Sequence, residues 1–166
     1  MRKISIIAIV VLSFLSACTD ELRHYEKDID IKSASWSRLD TLEYTFTVVD
    51  TTQLYDLQCN IRNTADYAYY NLYLNYSLQD SLGKELFSNL QELYLFDPQT
   101  GKSSGQGTYL IGKTLDDLYD HRFPLVRGCR FSKPGEYSLR FTHEMRDMEE
   151  LTEIVAVGLR VQKSGE

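Results

Sequence analysis

From Trp36 onward apolar residues recur at every second position, and this period of two is the constraint that any fold of the chain has to meet. Tyr44, Phe46 and Val48 alternate with Glu43, Thr45 and Thr47. Leu57, Cys59 and Ile61 alternate with Gln58, Asn60 and Arg62, and Leu72, Leu74, Tyr76 and Leu78 with Tyr73, Asn75, Ser77 and Gln79. Tyr137, Leu139 and Phe141 repeat the pattern, and Val155, Val157, Leu159 and Val161 close the chain in the same way. Successive strand side chains point to opposite faces, so each run reads as a strand with one buried face. Turn signals separate them: Asp50-Thr51-Thr52, Asp80-Ser81-Leu82-Gly83, Asp97 to Gly101 and Lys133-Pro134-Gly135. Short strands at this spacing predict an all-β fold, a single antiparallel β-sandwich of jelly-roll or immunoglobulin-like type over residues 34–166. The 12 tyrosines agree, since aromatic rings suit a half-buried pleated surface. Thr114 to Phe123 reads as a short helix or a loop, and Met145 to Leu151 as a place for a helical turn.

The N-terminus has a different pattern. Arg2 and Lys3 precede an apolar run from Ile4 to Leu15, then the small residues Ser16 and Ala17, then Cys18. A charged start, an apolar middle and a small-residue exit define a secretory signal, here residues 1–17. The apolar run is about a dozen residues, short of the roughly 20 a membrane-spanning helix needs. Leu15-Ser16-Ala17-Cys18 matches the bacterial lipobox, in which the cysteine is acylated, palmitate among the chains, and becomes the new N-terminus. Several acyl chains on one residue give stable anchoring, because each buried methylene adds about 0.8 kcal/mol. Thr19 in place of aspartate allows sorting to the outer membrane, and Asp20 and Glu21 leave open the periplasmic or the surface face. Residues 18–33 are polar and aperiodic and read as the lipidated N-terminus and a flexible tether.

Arg2 and Lys3 leave with the signal while all 24 acidic residues remain, so the mature chain is distinctly acidic. That argues against nucleic acid or an anionic lipid surface as the main partner. Apart from Cys18 only Cys59 and Cys129 remain; they can form one disulfide, and Cys59 fits equally well as a buried free thiol.

No catalytic or metal motif is complete. Gly101-Lys102-Ser103 resembles the end of a phosphate loop, yet Phe96 stands where its first glycine belongs. Gly105-Gln106-Gly107 lacks a third glycine at Leu110. His24, His121 and His143 have no ligand at metal spacing, and Lys32 and Ser33 spoil a calcium loop starting at Asp28 and Asp30. The acids Glu144, Asp147, Glu149, Glu150 and Glu153 read as a solvated loop rather than a glycosidase pair. No cofactor is expected. The unusual interior stretch is Arg62 to Tyr76: Tyr69 and Tyr70 must face opposite sides of an extended chain, so some rings are exposed. Tyr67, Tyr69, Tyr70, Asn71 and Tyr73 are therefore the candidates for contact with a partner or a glycan, against the alternative of cross-strand aromatic pairing.

The chain resembles the GldH family of gliding-motility lipoproteins of Bacteroidetes over nearly all its length. The residues carrying the resemblance are Cys18 in its lipobox, Trp36 followed by Asp40, and Arg62-Asn63 leading into Tyr67, Tyr69, Asn71 and Leu72. Gly135 and Tyr137 open a strand ending near Met145-Arg146, and Val157-Gly158-Leu159-Arg160 completes the set. Ala68 departs from the pattern, standing where a proline is expected. The resemblance implies an outer-membrane lipoprotein linked to gliding and type IX secretion, with other envelope proteins of that apparatus as partners and no catalytic residues. In the same lineage exported proteins are O-glycosylated after aspartate, which points to Thr41, Thr51 and Ser81; these Asp-Thr and Asp-Ser pairs also make ordinary turns. The expected function is a non-enzymatic accessory component, with a surface carbohydrate-binding lipoprotein as the alternative.

Overall fold

The computed structural model describes residues 20–108 and 118–165. Residues 1–17 and Cys18 lie outside them, as do residues 114–117 of the stretch read as a helix or loop.

Eleven strands make up the described chain: β1 (Arg23–Asp30), β2 (Ser35–Ser37), β3 (Leu42–Val48), β4 (Tyr55–Thr64), β5 (Asn71–Asp80), β6 (Glu85–Tyr94), β7 (Gln106–Thr108), β8 (Leu118–Cys129), β9 (Gly135–His143), β10 (Glu150–Thr152) and β11 (Ile154–Lys163). Five form one sheet in the order β1-β11-β4-β8-β7, and four form a second in the order β3-β9-β5-β6. All pairings are antiparallel, and the sheets pack face to face as the period of two predicts. Hydroxyls tie the layers across the core: Tyr44 donates to the Val157 carbonyl at 2.7 Å and Tyr76 to that of Leu125 at 3.1 Å. Around Phe46 the rings of Tyr25, Phe131 and Tyr137 close one end, with centroids 5.9–6.2 Å from it.

Four expectations are corrected. First, residues 23–30 are a strand rather than part of a flexible tether: β1 pairs with β11 from Arg23↔Gln162 to Asp30↔Ala156. Its alternate residues Tyr25 and Ile29 pack on the core, while acids on the other face hide the pattern. Second, a bulge between Ile154 and Ala156 shifts the start of β11. Ile154 and Val157 are fully buried there, and Val155 is displaced from the stripe. Third, Leu118 to Phe123 belongs to β8. Pro124 lies within that strand, tolerated where the β4 ladder is already irregular and β7 has ended. Fourth, residues 145–149 are turns and bends, with Asp147 at φ 57.

Cys59 and Cys129 are free thiols, so no disulfide links them. Cys129 pairs across the ladder with Tyr55, four strand steps from Cys59. Four steps span about 13 Å, whereas bridged cysteines keep their Cα atoms within about 7 Å. Burial pushes both thiols up, Cys59 most. In the native protein a thiol reagent should modify Cys129 first and reach Cys59 only on unfolding, which mass spectrometry with and without urea would read directly. Equal rates at both would contradict this packing.

Candidate functional site

The stretch from Arg62 to Tyr76 turns from β4 into β5, and its aromatic residues divide sharply. Tyr67 is buried, its hydroxyl donating to the Asn71 carbonyl at 2.9 Å. Asn71 is itself buried, and its amide donates to Glu92 at 2.5 Å. Tyr69 packs edge-on against Tyr67 at 5.7 Å and reaches the Met148 sulfur. These residues therefore shape the site from within. Tyr70 is 46% exposed, and Tyr73 is half-buried on the outer face of β5 opposite Glu92.

Tyr70 has a partner the sequence did not indicate. Tyr94, at the end of β6, stacks on it with centroids 6.0 Å apart and planes 17° apart, and is 48% exposed. Glu92 accepts from Tyr94 at 3.0 Å as well as from Asn71, and these hydrogen bonds hold its carboxyl below the ordinary range. Along β6 the outward residues Leu86 and Leu90 continue the patch to Tyr94, 45% and 54% exposed. Among the described residues no strand pairs with the outer edge of β6. That edge is ten residues long and has neither proline nor lysine nor arginine, the residues by which exposed edges are usually blunted. Its alternation was illegible because inward Asn89 and Gln91 are polar. They are satisfied in place, Asn89 donating to the Tyr76 hydroxyl and Gln91 to the Pro124 carbonyl.

The outer face of the five-stranded sheet carries a second feature, an open groove of about 590 Å³ lined by Glu26, Asp28, Asn60, Arg62, Asp120 and Arg122. Its charges are cross-paired: Arg62 with Asp120 at 2.7 Å, Arg122 with Glu26 at 3.0 Å, and Arg160 with Glu26 at 2.8 Å. Asn60 donates to Glu26 and accepts from Arg122 at 3.1 Å. The Asp28 carboxylate lies so close over Gly158 that any Cβ there would overlap it. The groove is thus lined by charged and amide side chains paired with one another.

The histidines are separate structural groups. His143 Nε2–H donates to the Trp36 carbonyl at 3.1 Å, and His24 bonds the Thr47 carbonyl at 2.6 Å. Ser104 Oγ–H donates to the Tyr94 carbonyl, so it accepts from His121 Nδ1–H at 3.1 Å, leaving His121 Nε2 buried with no hydrogen-bond partner among the described residues. Burial pushes His121 down to about 4, with the Asp120 carboxylate opposing. The unfolded chain therefore binds the proton more readily below about pH 6.5. Stability is full above that value and is lost as the pH falls toward about 4. His121→Phe should flatten the fall in urea midpoint between pH 7 and 5, with His143, also lowered by burial, supplying the remainder. An unchanged slope would contradict the assignment.

The acids near the C-terminus serve as struts: Glu144 pairs with Arg38 at 2.9 Å, Glu150 accepts from Ser35, and Glu153 accepts from Thr64. Among the described residues no group of three His, Cys, Asp or Glu converges as metal ligands. Thr41 and Ser81 are exposed and Thr51 is half-buried, all at turns or strand ends. Asp50 caps its turn by accepting from Thr52, and Asp80 by accepting from Leu82 and Lys84.

Residues 23–161 match the family described as GldH lipoprotein. A curated relative, the gliding motility lipoprotein GldH homolog of Christiangramia forsetii, is 27% identical over 164 residues, covering 95% of this chain and 94% of its own. Among solved structures, the mannohexaose-bound CBM27-1 module of Caldicellulosiruptor saccharolyticus overlays with TM-score 0.38 at 13% identity, covering 89% of this chain and 86% of that one. An arabinose-bound GH51 α-L-arabinofuranosidase gives 0.37 at 11% identity, covering 82% of this chain, which spans only 19% of that enzyme. Neither overlay is close enough to bear on what this chain does.

Proposed function

We propose, from the premise that the chain belongs to the GldH lipoprotein family, that it is an outer-membrane-anchored, non-enzymatic accessory component of the gliding-motility and type IX secretion envelope machinery. The family makes it a membrane-anchored, gliding-related lipoprotein. The observation that carries the finer reading is the β6 edge, with Leu86, Leu90 and Tyr94 exposed beside Tyr70 and no strand paired on its outer side among the described residues. An extended segment of a partner adds to such an edge through main-chain hydrogen bonds, while the apolar side chains select it. Confinement by lipid on Cys18 raises the effective concentration of the domain for partners at the same membrane.

A photo-crosslinking amino acid at position 90 or 94, in intact cells, tests this. Adducts with envelope proteins are expected at both positions and not at Thr45, on the exposed outer face of β3 in the same sheet. Glycan binding by the purified protein, lost on Tyr70→Ala with no protein adduct in cells, would favour the carbohydrate-binding alternative instead.

A further inference from the structure

The strand β1 changes how the domain sits on its lipid. Asp20 is already part of the fold: its carbonyl accepts from Arg23 N at 3.1 Å, closing a turn, and its carboxylate pairs with Arg160, whose side chain is 7% exposed. The next carbonyl but one, that of Leu22, accepts from Lys163 N at 2.8 Å. Only Thr19 separates this fixed point from Cys18. Two residues reach at most about 7 Å, roughly the depth of one headgroup layer. A chain lipidated at Cys18 therefore has no slack with which to hold the domain off the membrane.

The end of the sandwich next to this turn is formed by the β3–β4, β5–β6 and β8–β9 connections and the end of β11. Ser164 N bonds the Leu54 carbonyl and His24 the Thr47 carbonyl, joining these loops to the β1 turn. Leu22, Val49, Leu54 and Leu82 are exposed there, by 47, 76, 38 and 91%. Arg23, Lys84, Arg127, Arg130, Lys133 and Lys163 lie among them, all exposed, and share the end with the exposed Glu21, Asp50, Glu85 and Glu136 and with Asp56 and Asp80. At the opposite end acids predominate, with Asp40, Asp66, Asp97, Asp147, Glu149 and Glu150 exposed beside Lys32, Arg38, Lys102 and Arg146. Apolar side chains with long cationic ones among them suit a phospholipid surface, with stems in the interface and charges at the phosphates.

We propose that this end of the sandwich, centred on Leu22, Val49 and Leu54, is a second membrane contact that lies directly on the phospholipid headgroups and fixes the domain upright. The proposal rests on the reading of Cys18 as the lipid anchor. The ten-residue strands then rise from the membrane by about 30 Å, and Tyr70 and Tyr94 stand at the far end, presented to envelope partners.

The test uses the full lipidated protein in phosphatidylethanolamine and phosphatidylglycerol vesicles, with Cys129→Ser and a fluorophore on Val49→Cys or, at the opposite end, Leu39→Cys. Leu39 is 92% exposed and so accepts a label without disturbing the fold. Headgroup-attached nitroxide lipids should quench the position 49 probe several-fold more than the position 39 probe. Equal quenching, or stronger quenching at position 39, overturns the contact while leaving the anchor intact. Failure of the protein to float with the vesicles overturns the anchor reading itself and the contact with it.

Discussion

Cys18→Ala is expected to abolish palmitate labelling and to empty the outer-membrane fraction of this protein, leaving unprocessed precursor or soluble chain. The effect should be close to complete if the lipid is the anchor, as proposed; among the described residues no helix is long and apolar enough to cross a membrane. Each buried methylene of the lost chains contributes about 0.8 kcal/mol, and multiple chains convert marginal binding into stable anchoring. The headgroup contact at Leu22, Val49 and Leu54 is small beside that term and should not rescue attachment. Metabolic labelling with fractionation reads both outcomes. A Cys18→Ala protein still present in the outer membrane after an alkaline wash would contradict lipid attachment at this residue.

Trp36→Ala is expected to be the most damaging single change within the domain. The ring is fully buried, its Nε1–H donates to the Asp40 carbonyl at 3.1 Å, and it meets His143 edge-on at 5.4 Å. Its own carbonyl accepts from His143, so one residue joins the short β2–β10 pair to β9. Emptying such a site costs about 3–5 kcal/mol, a large share of the roughly 5–15 kcal/mol that holds a domain together. For a domain of this size that lowers the melting temperature by on the order of 10 °C. Thermal unfolding followed by circular dichroism measures it, with Trp36→Phe expected to lose much less. A shift under about 1 kcal/mol for the alanine variant would show that the β2–β10 pair is not what closes this end.

The two halves of the molecule differ in how openly the sequence declares them. Strands β3, β4, β5 and β9 bury one clean face, so their alternation is visible and their inward residues are those the pattern names. Strands β1, β6 and β8 hide because tertiary contacts satisfy polar groups on faces that alternation assigns to apolar ones. Asn89 and Gln91 on β6 find partners on β5 and β8, and β1 buries only Tyr25 and Ile29 among acids and bases. The bulge at the start of β11 depends on ladder register with β4, which no single strand encodes.

The candidate site follows the same rule. Tyr70 is visible as one of two adjacent tyrosines that must diverge. Its stacking partner Tyr94 is 24 positions away and comes beside it only because the β5–β6 hairpin places the two ends together. Tyr67 and Asn71 belong to the same suggestive run, yet their hydrogen bond and burial make them scaffold. Cys18 lies outside the described residues, and its reading as the lipid site rests on Leu15-Ser16-Ala17-Cys18 and the apolar run before it.

Docking through the β6 edge is tested most directly by complementation of a deletion strain. Leu90→Lys with Tyr94→Lys places two charges on an exposed edge, so the variant should keep the melting temperature within a few degrees of the parent. The prediction is that this folded, membrane-bound variant fails to restore spreading or secretion of type IX cargo, as does Cys18→Ala. Full restoration by the double-lysine variant, at normal abundance in the outer membrane, would contradict it.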